Sequence, residues 1–151
     1  MAEGSVVQKY PCYIRGVEQV YPNVAPGTPI YANSVAIDNI LFVSGMTAQE
    51  PETGGCTTNT MQDQMWVAMT KLKNALEEAG SCLENMVKTF IMLKDIKDYP
   101  VMRATELKFY QEYCPELVAH PPASTILQAG CLATPQFLVE VEAIAVIKKA
   151  E

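Results

Sequence analysis

The stretch "LVEVEAIAVI", residues 138–147, alternates along its whole length. Period-2 geometry puts Val139, Val141, Ala143 and Ala145 on one face of a strand. Leu138, Glu140, Glu142, Ile144 and Val146 fall on the other. The first set reads as core. The second places two carboxylates on an otherwise apolar surface, where burial is costly without a partner or a task.

Working outward, "ASTILQAGCL" (123–132) reads as another strand, entered through the break "HPP" at 120–122. "MVKTFIML" (86–93) is an apolar strand. "SVAIDNILFVSG" (34–45) reads as a hairpin turning at Asp38-Asn39, with Gly45 stopping its second strand. Between these lie two helical patterns. One spans about 61–79, with Asn59 and Gln62 at capping-box spacing and Gly80 as its stop. Its apolar stripe is Met65, Met69, Leu72 and Leu76. The other is "DYPVMRATELKFYQEYC" (98–114), with Asp98 as N-cap and Pro100 in the first turn. Tyr99, Met102, Phe109 and Tyr113 mark a candidate buried face. The first thirty residues are proline-rich, with a short strand near Tyr13. The order is β-β-β-α-β-α-β-β, an α/β (α+β) sandwich with two helices on one face of a mixed sheet. The second face then needs a cover, which points to an oligomer.

At 151 residues the chain is read as a single domain, 1–151, with 1–28 as an N-terminal extension and first strand. The net charge of −6 disfavours phosphate-backbone binding and therefore a nucleic-acid partner. Five cysteines, an odd number without CxxC spacing, suit a reduced, cytoplasmic protein. Cys131, placed in an apolar strand, is expected to be buried and inert. "MAEGSVVQKYP" lacks the apolar core of a signal peptide, and no run is long enough to span a membrane. One histidine, His120, and scattered cysteines give no metal-ligand cluster and no catalytic triad. His120 reads as an ordinary loop residue.

Taken together, several segments go further. "YANSVAIDNILFVSGMTAQEPETGG" (31–55), "ALEEAGSCLENMVKTFIMLKDIKDYPVM" (75–102) and "VEVEAIAVI" (139–147) resemble, in order and spacing, the Rid (YjgF-like) family. These are the reactive-intermediate imine deaminases, also known as L-PSP endoribonucleases. The resemblance covers about Pro29 to Ile147. It implies a chorismate-mutase-like fold and a homotrimer with ligand clefts between subunits. It also implies hydrolysis of a small imine or enamine without a cofactor. Residue by residue, Glu140 stands at the glutamate that orients water or shuttles a proton. Tyr31 stands at a ligand-positioning tyrosine, and Ser44-Gly45 at the Ser-Gly strand end, followed by Met46 instead of glutamine. Glu142 reads as an interface polar residue.

The chain departs from the family at "PPAST", where Ser124 occupies the place of the arginine that binds a substrate carboxylate. Ser124 cannot grip a carboxylate as a guanidinium does. Arg103 stands on the second helix where asparagine is common. It is read either as an anion-binding substitute near Ser124 or as a surface residue pairing with Glu106 at i+3. Two other functions stay open: an acid–base step such as cyclisation or condensation in specialised metabolism, and non-catalytic binding of a small ligand in stress protection.

Overall fold

The structure is a computed structural model that describes residues 6–14, 16–21, 24, 27–56 and 58–148. Its strands are β1 (Val7–Pro11), β2 (Tyr13–Ile14), β3 (Val17–Glu18), β4 (Ala32–Ile37), β5 (Ile40–Met46), β6 (Met86–Leu93), β7 (Ala123–Gln128) and β8 (Val139–Val146). The helices are α1 (Met61–Glu78), α2 (Tyr99–Tyr113) and the single turn α3 (Glu116–Ala119). Six strands form one sheet in the order β1-β4-β5-β8-β6-β7, and β2 and β3 form a separate two-stranded ribbon. Only β6 and β7 run parallel, joined by the α2 crossover that a parallel pair requires. The main sheet therefore reproduces the expected order, with the ribbon added between its first two strands.

The alternation of β8 organises the core. Val139, Val141, Ala143 and Ala145 are buried beneath α1. The expected α1 stripe, Met65, Met69, Leu72 and Leu76, meets them with no exposed surface. Each such side chain contributes roughly 1.5–3 kcal/mol by leaving water. Trp66 of α1 meets Phe109 of α2 edge-on at 5.0 Å between ring centroids, which locks the helices together. Of the α2 face expected to be buried, Met102 and Phe109 are; Tyr99 and Tyr113 are exposed.

The opposite sheet face has no covering layer among the described residues. Phe42 lies across from Ile144, and Ile40 across from Val146. Phe42 and Ile40 are both 44% exposed, so large apolar side chains stand open on this face.

Several local expectations are corrected. The N-cap of α1 is Thr60, not Asn59; its hydroxyl accepts from the Asp63 N–H at 3.2 Å. Asp98 holds the N-cap position of α2 without a side-chain bond, because a 3-10 turn capped by Asp95 precedes it. The hairpin does turn at Asp38-Asn39, with Asp38 at φ 54°. Gly45 does not end β5, which continues to Met46. The run 123–132 is a strand only to Gln128, because its sole ladder partner, β6, ends at Leu93. Cys131 therefore lies exposed in the following loop rather than buried. Tyr13 belongs to the ribbon, and the first strand of the sheet is β1.

Candidate active site

Between Val43 and Met46, β5 takes three steps while β8 takes two, from Ala143 to Val141. The extra residue is a bulge at Ser44-Gly45, a device that re-aims the chain beside many functional sites. Ser44 Oγ donates to the Ala32 carbonyl at 2.6 Å and so fixes the bulge to the end of β4. Glu140 of β8 lies against this bulge. A Cβ added at Gly45 would stand 2.8 Å from Glu140 Cδ and 3.0 Å from Cγ. Residue 45 must be glycine for the carboxylate to sit where it does.

Glu140 pairs across the ladder with Met92 on the open face and is half-buried, whereas Glu142 is exposed. Burial pushes the Glu140 carboxyl above the ordinary carboxylate range, and the negative charge of Glu142 adds to the shift. Tyr31 is close enough to feel Glu140. Burial first, and then a hydrogen bond with Cys12, push its hydroxyl up to about 12, so it stays protonated and can donate. The Cys12 thiol is likewise raised, mainly by burial. The group Tyr31, Gly45 and Glu140 thus pairs a carboxyl of raised proton affinity with a neutral hydroxyl.

The entry to β8 is set by Gln64, which sequence reasoning did not single out. Its amide donates to the carbonyls of Thr58 (3.0 Å) and Gln136 (2.9 Å) and accepts from the Leu138 N–H (2.8 Å). A polar side chain inside the Met61–Met65–Leu72 apolar stripe was the available signal, since a fully buried amide must find such partners.

Arg103 and Ser124 form a second group. The guanidinium donates from Nη1 to Glu106 Oε2 (2.5 Å), from Nη2 to Ser124 Oγ (3.2 Å) and from Nε to Tyr99 Oη (3.4 Å). Pairing with Glu106 and proximity to Ser124 coexist in one rotamer. Tyr110 donates to the other oxygen of the buried Glu106 at 3.4 Å. Ser124 pairs with Thr89, whose side chain is buried under the helices, so Ser124 lies on the covered face and Glu140 on the open one. Within one protomer the sheet separates the two groups. His120 is exposed at the C-cap of α3. Among the described residues no three His, Cys, Asp or Glu side chains are placed to hold a metal ion, and no helix is long and apolar enough to cross a membrane.

Comparison with known proteins gives one consistent family. The sequence profile described as Endoribonuclease L-PSP matches residues 23–147. A RutC family protein of Pyrococcus abyssi is 32% identical over 130 residues, covering 85% of this chain and 95% of its own. A protein of Bos taurus named 2-iminobutanoate/2-iminopropanoate deaminase is 27% identical over 116 residues, 77% of this chain and 79% of its own. The solved YjgF gene product of E. coli superposes with a TM-score of 0.68 at 28% identity, over 82% of this chain and 91% of that one.

Proposed function

This chain belongs to the Rid/YjgF family, described as Endoribonuclease L-PSP, and from that premise we propose that it hydrolyses a small imine or enamine at a site built around Glu140. The observation that carries the reading is the half-buried Glu140 carboxyl, seated on the Gly45 bulge. A carboxylate so placed orients a water molecule and takes its proton as oxygen adds to the imine carbon. Glu140 returns that proton to nitrogen, then moves the hydroxyl proton of the resulting carbinolamine to nitrogen as the C–N bond breaks and the carbonyl forms. Tyr31, protonated throughout, positions the ligand with its ring and hydroxyl. The bulge backbone at Gly45 and Ser44 shapes the floor. An imine is already electrophilic, so the reaction as written draws on no cofactor.

The assembly proposed is a homotrimer. The open face around Phe42, Ile40 and Ile144 needs a cover, and a second copy supplies it. With its charge balanced by Glu106, Arg103 offers hydrogen bonds more than net positive charge. The lost arginine at 124 then disfavours a substrate gripped by its carboxylate. Cleavage of RNA, which the family description names, is opposed by the net charge of −6.

The test is ammonia release from imines generated in solution, wild type against Glu140→Gln, with particle mass measured by light scattering. Three chains per particle and a Glu140-dependent rate are expected.

A further inference from the structure

On the helix side of the bulge, α1, the end of β5 and the segment entering β2 enclose a cavity of about 580 Å³. This is the size of a pocket for a small organic molecule. Tyr13, Tyr31, Trp66 and Val67 supply much of its wall. The charged side chains that line it are already engaged. Lys71 Nζ donates to the Thr47 and Gln49 carbonyls at 2.8 Å each, and Glu78 accepts from Asn33 Nδ2 at 3.3 Å. Thr70 and Asn74 add polar atoms to a lining that is otherwise largely apolar and partly aromatic, which favours an uncharged group with a ring.

Two residues belong to both this cavity and the Glu140 group: Tyr31 and Gly45. Gly45 joins them most closely, lining the cavity while its Cα faces the Glu140 side chain, and Tyr31 is hydrogen-bonded to Cys12 in the cavity wall. The wall that contains Cys12 and Tyr13 precedes residue 23, where the family match begins. It lies outside the residues that the family profile matches. At the other group the place of the carboxylate-binding arginine is taken by Ser124, and the Arg103 guanidinium is neutralised by Glu106.

We infer that this cavity holds the side chain of the substrate, and that the substrate is an uncharged imine bearing an aromatic ring rather than a small imino acid. The inference rests on the imine-hydrolase reading. The step is R–CH=NH + H2O → R–CHO + NH3. Water oxygen forms the new bond to the imine carbon while Glu140 takes one water proton. Glu140 gives that proton to nitrogen, forming R–CH(OH)NH2, and then carries the hydroxyl proton to nitrogen as the C–N bond breaks with its electron pair on nitrogen, releasing NH3 and leaving the C=O bond of R–CHO.

Trp66 is the only tryptophan of the chain, so intrinsic emission reports the cavity directly. The probe is phenylacetamide, a stable, neutral analogue of the aromatic imine, with pyruvate as the small anionic comparison. Saturable change in Trp66 emission with phenylacetamide, at least tenfold tighter than with pyruvate, is expected. Glu140→Gln should keep it. Val67→Phe, which fills the cavity, should weaken it tenfold or more. Tyr13→Ala, at an exposed side chain whose removal leaves the core intact, should weaken it several-fold. No saturable change with phenylacetamide, or undiminished binding in both cavity variants, overturns the inference. In turnover, the imine of phenylacetaldehyde should be preferred over 2-iminopropanoate. Equal rates on the two, untouched by the cavity variants, overturn the inference and leave the hydrolase reading standing. Phenylacetamide binding with no turnover of either imine overturns the hydrolase reading instead.

Discussion

Glu140 fills the space that a side chain at position 45 would require: a Cβ on Gly45 would stand 2.8 Å from Glu140 Cδ. The contact joins two strands whose residues are far apart in sequence, and the β5 bulge makes it possible. The obstructing atoms belong to the end of a flexible side chain, so Gly45→Ala should fold and displace the carboxylate. We expect Tm within a few degrees of wild type and a loss of imine hydrolysis on the order of a hundredfold, the usual contribution of a positioned base. Full activity in Gly45→Ala would separate the contact from the chemistry.

The raised proton affinity of Glu140 also has a stability consequence. Burial and Glu142 make the folded chain hold this proton at a pH where the unfolded chain has released it. Stability from this group is therefore present below the ordinary carboxylate range and is lost as pH rises toward the elevated value. Glu140→Gln should melt higher than wild type at neutral pH, with the difference vanishing near pH 3. In activity the dependence reverses: the rate should rise with pH as the base ionises. Melting curves across pH for both proteins check the first, and a pH–rate profile the second.

Arg103 and Ser124 meet at 3.2 Å, and this decides how the missing arginine can be restored. Ser124→Arg alone would place a second guanidinium beside the first, and the like charges repel. The single variant should gain little activity toward small imino acids. Ser124→Arg combined with Arg103→Asn should gain more, by roughly tenfold or above if one charge-assisted bond to carboxylate is recovered. Comparison of kcat/KM for 2-iminopropanoate in the two variants gives the answer. A larger gain in the single variant would mean that the two positions act independently.

Gln64 anchors the start of β8 through three hydrogen bonds of one buried amide. Gln64→Leu would leave the Leu138 N–H without its acceptor, at a cost of about 1–3 kcal/mol, or roughly 3–10 °C in Tm. Turnover should fall further than stability requires, since the strand carrying Glu140 loses its anchor. Thermal melts and activity well below Tm separate the two effects.

Local patterns were legible in the sequence and long-range ones were not. The period-2 run at 138–147 predicts the buried face of β8 directly. Asp38-Asn39 gave the β4–β5 turn because both neighbours in sequence are neighbours in space. The β2–β3 ribbon escaped notice because its strands are two residues each, too short for any period to show. The end of β7 was misplaced because it is decided by where β6 stops, not by its own apolar residues. At the site, the family resemblance singled out Glu140, Tyr31 and Gly45, and the β5 bulge sets Gly45 against the Glu140 side chain. The Arg103–Ser124 contact was one of two readings held open, and only the fold around α2 and β7 brings these residues together. Gln64 and the cavity beside Trp66 depend on contacts across the whole chain.

The central claim is that Glu140, and not its neighbour on the same strand face, is the base that hydrolyses an imine. Imines generated in solution from amino acids or aromatic amines supply the substrate, and the initial rate of ammonia release is read for three proteins of equal particle mass. Wild type should accelerate release, Glu140→Gln should lower that rate by a hundredfold or more, and Glu142→Gln should stay within a few-fold of wild type. Equal losses in both variants, or a Glu140→Gln protein as active as wild type, would contradict the account and leave the two carboxylates as structural features of an interface.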